Sequence, residues 1–484
     1  MPPTRRSDVS AIRRAMAEFE LSSRVEPNET IDIQRAFFPE GHRGVLDLKR
    51  QLVVGNRGMG KSFWTHALTN RTLRDRLSES YRLPALAKTS VAVGFNGSEK
   101  LAPIAPTTDE IAGAYASGRD PDLIWRAVLL RAALPYTKHA PLPTFDAAVG
   151  SLARYPQLYA EVLTAADEAL AAQNAYQLVV FDALDRLAQD WKTIQQMTKA
   201  LLVRAVALQA FRAIRVKIFM RVDQFADEDL FRFPDSSKIK NDQVDLVWRA
   251  YELYGLLTFE ALRDQEASVQ LRALADQVDA RLALPTEGRL NTGALREQQD
   301  LVTAMAGEFM GTHKKRGRVY TWVPLHLSDA ANTCSPRTFL TAWRTAAAYV
   351  PPPAEGRVVD HLGLIEGVRK ASTNRLGELQ EDYPWISPAL KALRRQFVPI
   401  QREDLFTLWR SAGVLRTILA DAKAKPINAP VGVGSSSDFV TLLDVLKSIG
   451  VMEERANGKI NVPDIFRVEA EILRKGGVAV PRRH

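Results

Sequence analysis

A short apolar run leads into a glycine-rich loop in the stretch Leu52-Val53-Val54-Gly55-Asn56-Arg57-Gly58-Met59-Gly60-Lys61-Ser62-Phe63. The pattern G-x-x-x-x-G-K-S, after a strand and before a helix, is typical of a phosphate-binding loop. Glycines let backbone N–H groups turn toward phosphates, and the N-terminus of the following helix favours negative charge. We therefore expect this loop to bind ATP through Gly55, Asn56, Arg57, Gly58, Met59, Gly60, Lys61, Ser62 and Phe63.

Two further roles follow from the chemistry of a triphosphate. Lys61 is expected to reach the β- and γ-phosphates, and the Ser62 hydroxyl is expected to be a ligand of Mg²⁺. The apolar run Leu178-Val179-Val180-Phe181 ends in Asp182, which is typical of a buried strand carrying a carboxylate at its C-terminal end. Ligands of open α/β sheets bind at that edge, so Asp182 is the second predicted residue of the Mg²⁺ site.

The residue that would activate water is less clearly defined by the sequence. Many P-loop ATPases have a glutamate directly after the magnesium-side carboxylate, but Ala183 occupies that position here. Asp185 is the next acid, and it either acts as base or water-positioning residue, or caps the following helix, as Asp commonly does. Because Asp185 is short and lies one turn further on, we expect slow hydrolysis.

Apolar strands alternate with helices from Lys49 onward, a pattern that predicts a parallel sheet covered by helices and thus an α/β fold. A mostly helical block is expected between residues 106 and 172, and helical spacing from Ile194 to Phe211 predicts a further helix. The predicted strands are Gln51–Val54, Ser90–Phe95, Gln177–Phe181, Arg215–Met220 and Val319–Val323.

Four domains are expected along the chain. They are an N-terminal helical or extended segment (1–48), an ATPase core with a helical insertion (49–330), a helical lid and linker (331–400), and a C-terminal domain with a basic tail (401–484). The three prolines Pro351-Pro352-Pro353 favour an extended linker. Asn457-Gly458 predicts a hairpin turn, and helices followed by a hairpin suggest a winged helix.

Composition excludes several classes of protein. The chain has 484 residues and one cysteine, Cys334, so it holds no intrachain disulfide and no cysteine metal cluster. No apolar run reaches the roughly 18 residues that span a bilayer, and the first residues lack the apolar segment of a secretory signal. We therefore expect a cytoplasmic protein without a membrane segment. The net charge of +9 is too small for this length to indicate nucleic acid.

Gly55–Ser62 together with Phe181–Arg186 resembles the AAA+-related branch that holds the STAND NTPases and the origin-recognition-type ATPases. Arg221, after the strand ending at Met220, is similar to the sensor-one arginine of STAND proteins, and Arg337 is similar to a sensor-two arginine opening a lid helix. The resemblance implies that both contact nucleotide and that the C-terminal domain is a winged helix. STAND proteins usually carry long C-terminal repeats or effector domains, so any effector here is expected to be a separate polypeptide.

Each of these arginines also has an ordinary structural explanation. Arg221 can be a solvated residue at a strand end, and Pro336-Arg337 can simply begin a helix. Arg232 is a candidate arginine finger acting on a neighbouring subunit. The helix predicted from Val244 to Leu257 is expected to use its aromatic residues for packing.

The sequence disfavours DNA recognition by the C-terminal domain. The candidate reading helix, Ser437 to Ile449, carries Asp438 and Asp444 against only Lys447, and its apolar residues form a core face. Basic residues that would be better suited to phosphate contact lie elsewhere: Lys314, Lys315, Arg316, Arg318, Arg474, Lys475, Arg482 and Arg483.

Two functions remain open at this point. The first is a regulatory ATP-dependent switch that assembles with copies of itself or with a separately encoded protein, and the resemblance suggests a bacterial stress or antiphage defence complex. The second is a DNA-remodelling or loading ATPase of the origin-recognition type. The acidic helix at Ser437–Ile449 favours the switch.

Overall fold

The computed structural model describes residues 8–21, 36–188, 190–354, 356–424, 430, 432–435 and 437–475. The chain forms two compact units, of which one is Gly41–Leu246 and the other combines Met1–Glu40 with Val247–His484. The first contains the sheet and is called the sheet unit, and the second is called the helical unit.

The sheet unit is built on parallel strands with the order β2-β3-β4-β1-β5. These strands are β1 (Leu52–Val54), β2 (Thr89–Phe95), β3 (Tyr176–Phe181), β4 (Ile214–Met220) and β5 (Val244–Asp245). All the neighbouring pairs are parallel, with Val53 aligned to Phe219 on β4 and to Val244 on β5. Four of the predicted strands, now β1 to β4, are therefore confirmed.

Helices cover this sheet. Their ranges are Lys61–Thr69, Arg71–Ser80, Pro84–Ala87, Thr108–Ala116, Pro121–Ala133, Phe145–Arg154, Leu158–Ala172, Trp191–Ala207, Val222–Ala226 and Ser236–Lys240. Short 3₁₀ turns are Glu40–Leu46, Leu134–Tyr136, Leu184–Arg186, Leu208–Ala210 and Glu228–Phe231. The helical block predicted between β2 and β3 is confirmed. Trp125 lies at its centre, edge-on to Phe95 and Phe181 with ring centroids 6.3 and 5.5 Å away.

The predicted strand Val319–Val323 is wrong, because this segment is part of a helix, Val319–Leu327. Its β-branched and aromatic residues favour a strand by propensity, but Val319, Val323 and Leu327 recur every four residues and are all buried. Burial of that helical stripe outweighs the local preference. The Tyr254 hydroxyl also donates to the backbone oxygen of Tyr320 at 3.0 Å.

The fifth strand is instead β5, whose two residues are too few to give a recognisable sequence pattern. The helix predicted to begin at Val244 begins at Ala250. The sheet unit accordingly ends at Leu246, whereas the sequence placed the end of the ATPase core at residue 330. The domain bounds expected from the sequence stay predictions.

The helical unit has its own core. Its helices are Ser10–Ala17, Ala250–Ala261, Gln265–Gln277, Leu295–Ala306, Val319–Leu327, Pro336–Ala348, His361–Asp382, Ile386–Lys391, Arg402–Ser411, Val414–Ala424, Phe439–Ser448 and Asp464–Arg467. The 3₁₀ turns Arg281–Ala283 and Lys314–Arg316 complete the helical elements of its described residues. Phe397–Val398 pairs in parallel with Leu473–Arg474.

The C-terminal hairpin is confirmed. Glu453–Glu454 pairs antiparallel with Ile460–Asn461, and Gly458 adopts the left-handed conformation (φ 73°) that the turn requires. The core face of Phe439–Ser448 is confirmed as well, with Phe439 and Leu446 among its buried residues. The assignment of these elements as a winged helix stays a prediction.

Two of the basic residues singled out in the sequence, Arg482 and Arg483, lie outside the described residues. Among the described helices, none combines the length and apolar character needed to cross a membrane.

Two helices of the helical unit, Pro336–Ala348 and His361–Asp382, approach so closely that only glycine fits at one crossing point. A Cβ added to Gly367 would lie 2.2 Å from the backbone oxygen of Ala342. Gly377, on the same helix, has nothing within 4 Å of such an atom. The two glycines therefore form a matched pair for testing the packing.

We expect Gly367→Ala to destabilise the protein by about 1–3 kcal/mol, because the helices must separate to admit the methyl group. Gly377→Ala should instead stabilise it by up to about 1 kcal/mol, since alanine is the better helix former. Urea unfolding monitored by circular dichroism measures both. Equal effects of the two substitutions would contradict the proposed close approach.

Candidate nucleotide-binding site

The phosphate loop begins where β1 ends. β1 is fully buried, and the Gly55 N–H donates to the backbone oxygen of Met220 at 3.1 Å, which anchors the loop to the end of β4. Gly58 and Gly60 have φ values of 83° and 105°, a region that other residues adopt only with strain. The helix Lys61–Thr69 follows directly, so its N-terminus faces the loop. The predicted strand, loop and helix are thus all present.

Lys61 lies over this loop. Its Nζ donates to the backbone oxygens of Gly55 and Asn56 at 2.6 and 3.1 Å. Burial lowers the pKa of Lys61 to about 8, and the carboxylate of Asp182 partly opposes that effect. The ammonium group therefore loses its proton more easily than an exposed lysine would, which makes its charge sensitive to pH near neutrality.

Asp182 lies at the end of β3, where the sequence predicted the second carboxylate. Its Oδ2 accepts from the Thr65 hydroxyl at 3.1 Å, and its Oδ1 accepts from the Ala183 N–H at 2.8 Å. Burial raises the pKa of Asp182, against the lowering effects of the Ala183 hydrogen bond and of Lys61. Thr65 was not predicted. Its signal was its position three residues after Ser62, on the same side of the helix.

These donors suit magnesium. Mg²⁺ prefers oxygen ligands, keeps several waters and is usually held by one or two protein groups together with substrate phosphates. Ser62 is exposed at the start of the helix, and Asp182 provides the carboxylate. Within the described part of the chain, no group of three or more His, Cys, Asp or Glu side chains could hold a metal ion. A site completed by phosphate oxygens fits these residues, and the ion would supply charge neutralisation at the triphosphate.

Arg221 follows β4 and belongs to a charged cluster beside the loop. It forms ion pairs with Asp185 at 3.7 Å and with Asp223 at 3.1 Å. All three groups influence the pKa of Lys61, so Asp185 and Arg221, two of the predicted residues, lie near it together with Asp223. Asp223 was missed, because an acid three residues beyond a strand has no distinctive sequence signal.

The two explanations for Asp185 are now separable. The helix that follows it, Trp191–Ala207, is capped by Asp190, which accepts from the Thr193 N–H at 2.9 Å. Asp185 lies within the 3₁₀ turn Leu184–Arg186 and does not cap that helix. Its role as a base or water-positioning residue stays a prediction.

The remaining predicted residues fall into different environments. Arg337 belongs to the helical unit and is ion-paired with Glu378 at 2.9 Å. Arg232, the candidate finger, is exposed and pairs with Asp229 three residues earlier at 2.7 Å. Phe63 packs edge-on against Trp64. The nucleotide contacts predicted for Asn56, Arg57, Met59 and Phe63 stay predictions.

The phosphate loop, the acid after β3 and the parallel strand order together decide the fold class. The chain has the α/β fold of the P-loop nucleotide-binding proteins. This fold places Gly55, Asp182 and Arg221 at the carboxyl ends of neighbouring strands, the edge at which ligands of parallel sheets bind.

The solved structures that align with this chain are distant from it. A Walker-type ATPase of Pyrococcus abyssi is 12% identical, with 94% of this chain and 99% of that chain covered and a TM-score of 0.39. Cdc6p of Pyrobaculum aerophilum is 14% identical over 95% and 96% of the chains, with a TM-score of 0.28. The Orc1 protein of Aeropyrum pernix, in complex with DNA, is 12% identical over 95% and 96%, with a TM-score of 0.33. No family model and no curated protein sequence matches. Similarity at this level establishes neither a family nor an activity.

The lowered pKa of Lys61 predicts how nucleotide affinity depends on pH. Phosphate contact favours the charged ammonium, so above pH 8 binding must be accompanied by proton uptake at Lys61. The affinity for ATP should therefore be constant from about pH 6.5 to 7.5 and weaken by up to about tenfold per unit above pH 8. Titration calorimetry in buffers of different ionisation enthalpy measures both the affinity and the proton uptake. Lys61→Gln should bind ATP more weakly, and its affinity should not decline further above pH 8. A wild-type affinity that is independent of pH up to about 9.5 would contradict the assignment of Lys61 to phosphate contact.

Proposed function

We propose that the chain binds ATP with Mg²⁺ at Gly55–Ser62 and hydrolyses it slowly. The observation that supports this most directly is the proximity of Lys61 and Asp182 at the end of a buried parallel sheet. In this proposal Lys61 contacts the β- and γ-phosphates, and Ser62 and Asp182 complete the magnesium site. Backbone N–H groups of the loop provide the remaining contacts.

Hydrolysis requires a water in line with the γ-phosphorus, and Asp185 is the acid that we assign to orient it. The water oxygen forms a bond to the γ-phosphorus while the bond from that phosphorus to the bridging oxygen breaks. ADP keeps the bridging oxygen, and the water protons end on the released phosphate or in solvent. Ala183 contributes no carboxylate to this step. The Asp185 carboxylate is also engaged by Arg221 at 3.7 Å, which restrains its movement toward water. Both features favour a low turnover rate.

The same ion pairs support a switching role. The Arg221 guanidinium is held by Asp185 and Asp223, and a γ-phosphate would compete with these carboxylates for it. Asp223 belongs to the short helix Val222–Ala226. Breaking or keeping its ion pair with Arg221 would therefore change the position of the segment after β4. Because ADP has no γ-phosphate, the two nucleotides would make different contacts, which is what a switch requires.

A switch of this kind acts on a partner, and two kinds of partner are candidates: protein and DNA. Assembly into a homo-oligomer, or with a separately encoded protein in a stress or defence complex, follows from the resemblance alone. A DNA-loading ATPase is the second candidate, supported by the exposed basic turn Lys314–Arg316. Against it, Lys447 on the candidate reading helix pairs with Asp444 and Glu454 at 3.5 and 3.2 Å. DNA binding that weakens steeply between 50 and 200 mM salt, by a factor on the order of 10³, would favour the second candidate.

Asp185→Asn tests the proposed chemistry, with Asp190→Asn as the matched control. We expect Asp185→Asn to lower the turnover number by about 10²-fold or more without weakening ATP binding, because water orientation is needed only for hydrolysis. Asp190→Asn alters a cap and should leave turnover within about twofold, since asparagine is an equally good cap. Phosphate release under saturating ATP gives both rates. Wild-type turnover in Asp185→Asn would refute its role.

A further inference from the structure

The sheet unit has a cavity of about 940 Å³ at the edge opposite the phosphate loop. Its lining includes Arg50, just before β1, Tyr176, at the start of β3, and Arg215, at the start of β4. Because these strands are parallel, their starts share one edge and their ends share the other. The cavity and the loop Gly55–Gly60 therefore lie at opposite ends of the same strands.

Cationic side chains dominate this cavity. Its lining contains the cations Arg43, Lys49, Arg50, Arg212 and Arg215. Asp47 is the one acid among the lining residues, all of which belong to the described chain. An anion entering the cavity would therefore meet an excess of positive charge on several walls.

Neighbouring acids compensate this charge only partly. Arg50 Nε lies 4.0 Å from Asp47 and 3.8 Å from Asp242, and Arg212 Nε lies 3.7 Å from Asp167. These separations exceed those of good charge-assisted hydrogen bonds, so the guanidinium groups of Arg50 and Arg212 remain able to bind a ligand. Arg215 by contrast already donates through one nitrogen to the backbone oxygens of Phe211 and Ile214, at 2.5 and 2.9 Å. The Oδ1 of Asp167 already accepts a hydrogen bond from the Ala213 N–H at 2.6 Å.

A buried lysine fixes one wall. Lys217, on β4, is fully buried, and its Nζ donates to the backbone oxygens of Asp47 and Arg50 at 2.7 Å each. These bonds hold the segment that carries Lys49 and Arg50. The backbone that carries Lys49 and Arg50 is thus fixed to β4. Burial lowers the pKa of Lys217 to about 7.

The rest of the lining is apolar or aromatic. Leu46 and Leu86 are buried, whereas Tyr176 and Phe211 are partly exposed. The volume lies within the range of about 300–1,000 Å³ that is common for small-molecule sites. Guanidinium groups match the oxygens of phosphate in geometry and charge, and the apolar walls suit an organic body.

We propose that this cavity binds a small organic phosphate, with its phosphate on the arginines and its apolar or aromatic body against Tyr176 and Phe211. This second site goes beyond the proposed ATPase function and does not depend on it, because the two sites use different residues.

The test uses the full-length protein and 1-naphthyl phosphate as the probe, with inorganic phosphate for comparison, both measured by titration calorimetry. Lys49→Gln/Arg212→Gln removes two exposed cations from the cavity, and Lys100→Gln/Arg119→Gln removes two exposed cations elsewhere on the same unit. The third variant, Lys61→Ala, removes the phosphate-loop lysine. We expect the cavity variant to weaken naphthyl phosphate binding by at least about tenfold, since each lost charge-assisted contact is substantial. The other two variants should stay within about twofold of wild type.

Several results would overturn the proposal. Absence of saturable binding of the probe up to a concentration on the order of 10 mM would exclude a site of useful affinity. Loss of binding in Lys61→Ala, with normal binding in the cavity variant, would assign the probe to the phosphate loop. Equal weakening in both double variants would indicate non-specific attraction. Inorganic phosphate binding as tightly as the naphthyl compound would refute the contribution of the organic body. Circular dichroism of each variant verifies that it is folded.

Discussion

The pairing of β1 between β4 and β5 is the constraint on which the rest of the site depends. β1 has only three residues, all buried, yet it forms parallel ladders with both neighbours. This register fixes where the chain leaves the sheet, so Gly55 is anchored on Met220 at the end of β4. Asp182 and Arg221 leave neighbouring strands at the same edge, which is why residues distant in sequence can act together.

Sequence patterns predicted the parts of this arrangement that depend on local chemistry. The loop Gly55–Ser62 was recognisable because glycines, lysine and serine each have a distinct role in phosphate binding. Four strands were recognisable from continuous apolar runs, since a parallel sheet covered by helices is buried on both faces. The hairpin at Asn457-Gly458 was recognisable because its turn requires left-handed backbone conformations.

Features that depend on tertiary packing could not be predicted. Val319–Val323 has strand propensity, but its burial pattern in three dimensions is helical. β5 is too short to be distinguished from a loop, and its identity follows only from pairing with β1. The contacts of Asp185 with Arg221 and of Asp182 with Thr65 join segments far apart in sequence, so they required the structure. Likewise, the cationic cavity collects residues that precede several strands, and no single segment reveals it.

In the proposed function, the loop and Lys61 hold the triphosphate of magnesium-bound ATP. Titration calorimetry of the wild-type protein with ATP, with and without Mg²⁺ and in parallel with Lys61→Ala, tests it most directly. The account predicts saturable binding of one ATP at the loop, tighter with Mg²⁺, that Lys61→Ala weakens by at least about tenfold. If the folded wild-type protein gives no heat of ATP binding and ADP does not compete with ATP, the loop does not hold the nucleotide. An ATP affinity that is unchanged in Lys61→Ala would contradict the assignment as well.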